Sequence, residues 1–156
     1  MKQYNHLTLT ARLKRISDNL LYCAKDLYKE LNLEIEPNWH LIFLLFKEKE
    51  ELTITEISEK LKISQPGVIK IVNKMKDKNY LKTEKDKKDN RSQLLKLTTK
   101  SRSELPKLEE IWLAGEKTIS EILNNSTEIY NQLDQIENAI LESSYKKRSL
   151  IHIKND

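Results

Sequence analysis

Apolar residues recur at helical spacing early in the chain: Leu9, Leu13, Ile16, Leu20, Ala24, Leu27 and Leu31 follow one another at intervals of three and four. That spacing predicts an amphipathic helix of several turns. Leu31 to Glu36 reads as a connection, and Pro37 stands where a second helix can begin, because the first turn needs no N–H from it. Trp39, Ile42, Phe43 and Phe46 share one face of that helix, and the charged run Lys47 to Glu51 ends it. Thr53 with Glu56 three residues on is a capping-box signature, opening a short helix with Ile57 and Leu61 turned inward. Lys62-Ile63 makes a tight connection. Ser64 is then a good N-cap and Pro66 falls in the first turn of a helix reaching about Lys78. Its apolar face is Val68, Ile71, Val72 and Met75. Two short helices joined by a brief turn make a helix-turn-helix.

Asn79 follows as the residue next best to glycine for a left-handed cap. Tyr80 to Glu84 predicts a short strand, Lys85 to Arg91 holds no apolar residue, and Leu94, Leu95 and Leu97 restart an apolar strand. The pattern is a β-hairpin directly after the second short helix, which is a wing. A long helix is expected from Lys100 to about Leu123, carrying Leu105, Leu108, Ile111, Trp112 and Ile119, with Pro106 marking its first turn or a kink. Asn124-Asn125-Ser126 breaks it. Ser126 is the expected N-cap of a last helix carrying Ile129, Leu133, Ile136 and Ile140. The tail after Tyr145 is basic and expected to fray, with Leu150, Ile151 and Ile153 available to a partner chain. The fold class is therefore mainly α with a small β-hairpin wing: a winged helix-turn-helix at 37–99, flanked by long helices at 1–36 and 100–156. Those flanking helices carry more apolar surface than one thin chain can cover, so they are expected to form a homodimer interface.

Composition agrees with this picture. Of the 156 residues, 38% are hydrophobic and 33% charged, which suits a shared helical core better than a large globular one. Two glycines and three prolines leave little punctuation for a many-turned β fold. The longest apolar run, Leu41 to Phe46, is far short of the ~20 residues of a membrane span, so no membrane partner is expected. Met1 to Lys14 has no stretch like a signal peptide, and a single cysteine suits a reducing compartment. The expected location is the cytoplasm.

Charge placement changes the picture more than net charge. Thr53 to Thr98 holds twelve Lys and Arg against six Asp and Glu, while the rest of the chain is slightly acidic. A concentrated basic segment on a winged helix-turn-helix suits a polyanion, and double-stranded DNA is the expected partner. Setting aside the apolar face of the second short helix leaves Gln65, Pro66, Gly67, Ile69, Lys70, Asn73 and Lys74, with Ser64 at the cap. Gln and Asn can pair with adenine, Lys can reach guanine or phosphate, and Ile69 can meet a thymine methyl. Gly67 removes a side chain where a close backbone approach would help. Lys85, Lys87, Lys88 and Arg91 make the wing basic, and Asp89 lies two residues from Arg91, where a carboxylate can orient a guanidinium.

The stretch from Pro37 to Ser101 resembles the MarR (multiple antibiotic resistance regulator) family of bacterial transcription regulators. Asp89-Asn90-Arg91 followed by Leu97-Thr98 is similar to the family's D-x-R, apolar strand and L-T. Lys78-Asn79-Tyr80-Leu81 resembles its K-G-L-V, and Leu52-Thr53 with Ile57 resembles the opening of its first short helix. Asn79 and Ser101 stand for the usual glycines, and Thr83 for a frequent arginine. The resemblance implies that the face from Ser64 to Lys74 enters the major groove and that Arg91 reaches the minor groove. It further implies a homodimer on a pseudo-palindromic operator, repression, and a ligand pocket where the helical and winged parts meet. Trp39, His40 and Trp112 are the candidates to line that pocket for a small-molecule effector.

No H-E-x-x-H, C-x-x-C, phosphate-binding glycine loop or triad is present, and His6, His40 and His152 are far apart. Neither enzymatic activity, a metal nor a cofactor is expected. Cys23, among Leu20, Ala24 and Leu27, reads as a buried structural cysteine. The alternatives are a redox-sensing regulator of the same fold using Cys23, since some relatives sense hydroperoxides through a first-helix cysteine, and a winged-helix protein-interaction module.

Overall fold

The computed structural model describes residues 6–85 and 93–154. The helices are α1 (Leu9–Glu30), α2 (Trp39–Glu48), α3 (Ile54–Leu61), α4 (Gln65–Asp77), α5 (Thr99–Ile122), α6 (Glu128–Glu142) and α7 (Tyr145–Lys154). Between α4 and α5 the strands β1 (Leu81–Lys85) and β2 (Gln93–Leu97) pair antiparallel, Leu81 opposite Leu97 and Lys85 opposite Gln93. The chain divides into two compact units, Met1–Leu108 and Glu109–Asp156, with α5 contributing its first turns to one and the remainder to the other.

Local chemistry explains where the short helices start. Thr53 accepts from the backbone N–H of Glu56 at 3.2 Å, while the Glu56 carboxylate accepts from the Thr53 N–H at 2.7 Å. This reciprocal capping box satisfies two donors that no helix can satisfy internally. Ser64 caps α4 by accepting from the Gly67 N–H at 3.4 Å. Pro37 does not open α2. The helix begins two residues later, with Asn38 in the N-cap position.

Helix ends use asparagine in place of glycine. Asn32, Asn79 and Asn124 all have φ between 52° and 60°. At each, the N–H of the following residue closes a six-residue loop: Leu33 to the Tyr28 carbonyl, Tyr80 to Met75 and Asn125 to Ser120, at 2.7–2.8 Å. These are Schellman ends, in which asparagine tolerates the left-handed backbone.

The core of the first unit gathers Trp39, Ile42, Phe43 and Phe46 of α2, Ile57 of α3, and Val68, Val72 and Met75 of α4. Tyr80, Leu81, Leu95, Leu97 and Leu108 complete it. Trp39 and Phe43 meet the Tyr80 ring edge-on at 5.5 and 5.9 Å between centroids, a favoured aromatic geometry. Leu52 joins the hairpin by exchanging backbone hydrogen bonds with Leu95 at 3.1 and 2.8 Å. On the hairpin's other pole Lys96 reaches both Glu51 (2.5 Å) and Glu84 (2.7 Å).

Away from this core, burial is sparse. Of α1 only Tyr28 is buried, and no described residue of the second unit is. Pro106 lies inside α5 past its first turn and does not end it. Thr127 takes the N-cap position of α6, although the Ser126 hydroxyl still accepts from the Glu128 N–H at 3.3 Å. The expected fraying after Tyr145 is corrected: Tyr145–Lys154 is helix α7. Arg148 holds its start by donating to the carbonyls of Ser143 and Ala139 at 3.0 and 2.9 Å. No helix among the described residues is long and apolar enough to cross a membrane.

Candidate nucleic-acid interface

The inward face of α4 is set by Val68, Val72 and Met75, all buried. At ~100° per residue, Pro66, Lys70 and the acidic Asp77 then point most directly away from the core, with Asn73 and Lys74 to either side, and each is exposed. Ile69 is 44% exposed, unusual for an isoleucine beside a well-packed core. Gln65 is exposed too, but its amide donates to the Thr55 hydroxyl at 3.4 Å, linking the starts of α3 and α4. Among the described residues Lys70 has no ion-pair partner, so its ammonium is free to meet an anion.

Two expected residues have more structural roles than the sequence suggested. Gly67 is half-buried, and a Cβ there would lie 2.9 Å from Cγ2 of Ile63 and 3.2 Å from the Ser64 hydroxyl. The missing side chain therefore serves the tight turn between α3 and α4, where Lys62 holds φ 53°. Lys74 lies on the flank of α4, with its ammonium 3.3 Å from Glu36. One turn on, Lys78 meets Glu34 at 2.8 Å.

The wing is described only at its strands. Lys85 ends β1 and is exposed, while Lys87, Lys88, Asp89 and Arg91 lie outside the described residues. The hairpin base carries a charge network. Lys82 and Lys96 both bind Glu84 and hold its carboxyl well below the usual range, to about 2. Thr83 turns its hydroxyl inward with no partner among the described residues.

A second network, unforeseen in the sequence, joins the end of α4 to the start of α5. Thr98 donates to the Asn79 carbonyl at 2.7 Å and accepts from the Ser101 N–H at 3.2 Å. The Ser101 hydroxyl donates to the Tyr80 carbonyl, and the Tyr80 hydroxyl donates to Glu104 at 2.7 Å. Burial and the Glu104 carboxylate both push the Tyr80 phenol up, so it stays a donor. Lys100 sits 4.3 Å over the Tyr80 ring and donates to the Lys78 carbonyl at 3.1 Å. The Leu97-Thr98 motif was legible, but its bonding to Asn79 and Tyr80 depends on a chain reversal that spacing does not reveal.

Of the ligand-pocket candidates, Trp39 is buried and lines an open groove of about 790 Å³. The groove runs along the end of α1, the α1–α2 connection and the last turns of α4, with Leu33, Ile35, Lys74 and Lys78 on its walls. His40 is not on its wall; its Nδ1 lies 2.6 Å from the Pro37 carbonyl at the start of α2. Trp112 belongs to the second unit. Cys23 corrects an expectation. It is exposed on α1, because the inward side of that helix runs through Ala24 and Tyr28. Its thiol lies 4.0 Å from the Asn19 side-chain oxygen.

Comparison with known proteins gives this geometry a context. Residues 33–92 match the model of the MarR family. Among curated proteins none matches the chain. Among solved structures, a MarR/EmrR family transcriptional regulator from Acinetobacter sp. ADP1 superposes with a TM-score of 0.73 at 16% identity, covering 88% of this chain and 98% of that one. The S. aureus MepR–DNA complex gives 0.67 at 20%, covering 86% and 96%. A cysteine-to-serine mutant of E. coli MarR complexed with operator DNA gives 0.66 at 16%, covering 88% and 97%. At these identities the structural likeness is one of fold, and the family match adds the sequence of the helix-turn-helix and wing. Residues 33–92, which span the helix-turn-helix and the first strand of the hairpin, are similar to the MarR family, and the chain shares the fold of the MarR-family regulators it superposes on.

Proposed function

We propose that the protein is a sequence-specific, double-stranded-DNA-binding transcription regulator. It acts in the cytoplasm as a homodimeric repressor on a pseudo-palindromic operator and is released by a small ligand. The observation that carries the DNA reading is the outer face of α4. Gln65, Pro66, Ile69, Lys70 and Asn73 are all exposed on a helix whose opposite side is packed. A β-hairpin follows directly, and the sequence between its strands carries Lys87, Lys88 and Arg91. Such a helix fits the major groove, and Arg91, in the basic sequence between the two strands, suits the minor groove. Two of the three structural neighbours named above were solved with DNA, which supports the same use of this fold.

In this reading 37–99 contacts DNA, while 1–36 and 100–156 make the dimer. The dimer reading rests on apolar side chains left in solvent, among them Leu9, Ile16 and Leu27 on α1 and Ile129, Leu133 and Ile140 on α6. The groove beside Trp39 is where an effector would bear on α4. Selection of bound sequences from a random duplex library tests the proposal. Enrichment of a two-fold symmetric site with half-sites one DNA turn apart is expected, with affinity falling steeply as salt rises. Recovery of no sequence, with salt-independent binding, would favour a protein-interaction module instead.

The exposure of Cys23 favours a second reading, a redox-sensing regulator of the same fold. Loss of operator binding after mild peroxide in the wild type, but not in Cys23→Ser, would establish it. An unchanged response in both would discard it.

A further inference from the structure

We propose that Glu36 and Glu34, on the connection between α1 and α2, act as an acidic brake on α4: they hold Lys74 and Lys78 back from DNA phosphates and so limit the affinity and salt sensitivity of duplex binding. The inference rests on the proposed DNA-binding function and concerns its regulation.

Lys74 and Lys78 lie one turn apart on the flank of α4, between the outward Lys70 and Asn73 and the buried Val72 and Met75. That flank faces the connection. Glu36 meets Lys74 at 3.3 Å and Glu34 meets Lys78 at 2.8 Å. The connection is itself anchored. Asn32 turns the chain out of α1 with φ 55°, the Leu33 N–H binds the Tyr28 carbonyl at 2.8 Å, and Ile35, between the two glutamates, is only 6% exposed. Both carboxylates are therefore displayed by fixed backbone to successive turns of the same helix.

The lysines are about half exposed, so the pairs are weak enough for phosphate to compete. Competition still has a cost. A lysine must leave its carboxylate to reach a phosphate, and the carboxylate left behind repels the same phosphate. Lys70, one turn before Lys74, bears no such cost. The two glutamates differ in what else they hold. Glu34 also faces Lys100 at 3.8 Å, and the hydrogen bond from Lys78 is the main reason its carboxyl stays ionised to lower pH. Lys100 in turn binds the Lys78 carbonyl, so Glu34 ties the end of α4 to the start of α5. Glu36 makes the looser contact, and its pair with Lys74 can open without disturbing that junction. Any movement of the α1–α2 connection thus changes how many lysines α4 offers to DNA.

The test is a salt titration of binding, using the full chain and a duplex selected by it from a random library. The variants are Glu36→Gln, Lys74→Gln and the double substitution. In Glu36→Gln the slope of log affinity against log salt steepens by ~0.9, one phosphate contact, so its advantage over wild type shrinks about 3.5-fold between 50 and 200 mM salt. Lys74→Gln alone changes the slope far less, and the double variant returns to the wild-type slope. A wild-type slope in Glu36→Gln overturns the brake. So does the loss of a full ~0.9 in Lys74→Gln alone, which would mean that Lys74 already binds phosphate. A wild-type chain that binds no duplex at any salt overturns the proposed function, and the brake with it.

Discussion

Gly67 shows how one residue can carry a structural duty inside a functional face. Its place on α4 suggested room for DNA, but the nearest atoms to an added Cβ belong to Ile63 and Ser64. Replacing it with alanine gains ~1 kcal/mol of helix propensity and loses ~1–3 kcal/mol to overpacking against a side chain branched close to the backbone. Gly67→Ala is expected to destabilise the fold by about 1 kcal/mol net, read as a lower denaturant midpoint with an unchanged slope. A midpoint equal to or above wild type would mean that Ile63 yields freely and that the glycine is there for DNA. The asparagines at 32, 79 and 124 make the complementary point. Each sits at a left-handed helix end, a backbone that asparagine tolerates better than most residues; Asn79 was anticipated in that role, whereas Asn32 and Asn124 were read only as part of a connection and of a break.

The hairpin illustrates what an element gains from its charges. Glu84 sits between Lys82 and Lys96, and its carboxyl is held down to about 2 from an ordinary 4.5. Between those values the unfolded chain binds the proton more readily than the folded one. The contribution of Glu84 to stability is therefore complete above about pH 4.5 and disappears as pH falls toward 2. Glu84→Gln should melt lower than wild type at neutral pH and converge with it at the acid end of that window. Parallel curves over the whole range would show that the network contributes nothing to stability. Because Glu84 and its lysines remain partly open to solvent, the difference should also shrink with added salt.

At the scale of the whole molecule, the distribution of burial matters most. The first unit has a closed core from Trp39 to Leu108, whereas α1 buries only Tyr28 and no described residue of the second unit is buried. Helices with apolar stripes left in water gain little from folding alone, since helix stability in proteins comes mainly from packing such a stripe. Deleting the residues after Ser126 removes Ile129, Leu133, Ile136 and Ile140 together with α7. The shortened chain is expected to be unstable or aggregated. Sedimentation of the intact protein should give a dimer at micromolar concentration, and a folded monomer there would refute the shared-core reading.

What could be read from the sequence is what depends on neighbours along the chain. Apolar spacing placed each of the first six helices and both strands, because periods of 3.6 and 2 are local geometry. The Thr53–Glu56 capping box, the Ser64 cap and the Asn79 turn were legible for the same reason: their partners are three to five residues away. Helix α7 was missed because its basic, weakly patterned sequence looks like a tail, and its start is secured by Arg148 reaching back nine residues to Ala139. The exposure of Cys23 was missed because a stripe of leucines signals an apolar face without saying what covers it. The tertiary structure alone brought Glu34 and Glu36 to Lys78 and Lys74, across 44 and 38 residues of chain, and Tyr80 to Glu104 across 24. Such meetings follow from how α2, α3 and α4 close around Trp39, Ile57 and Met75. Until that core forms, no local rule links an acidic connection to the helix it comes to face.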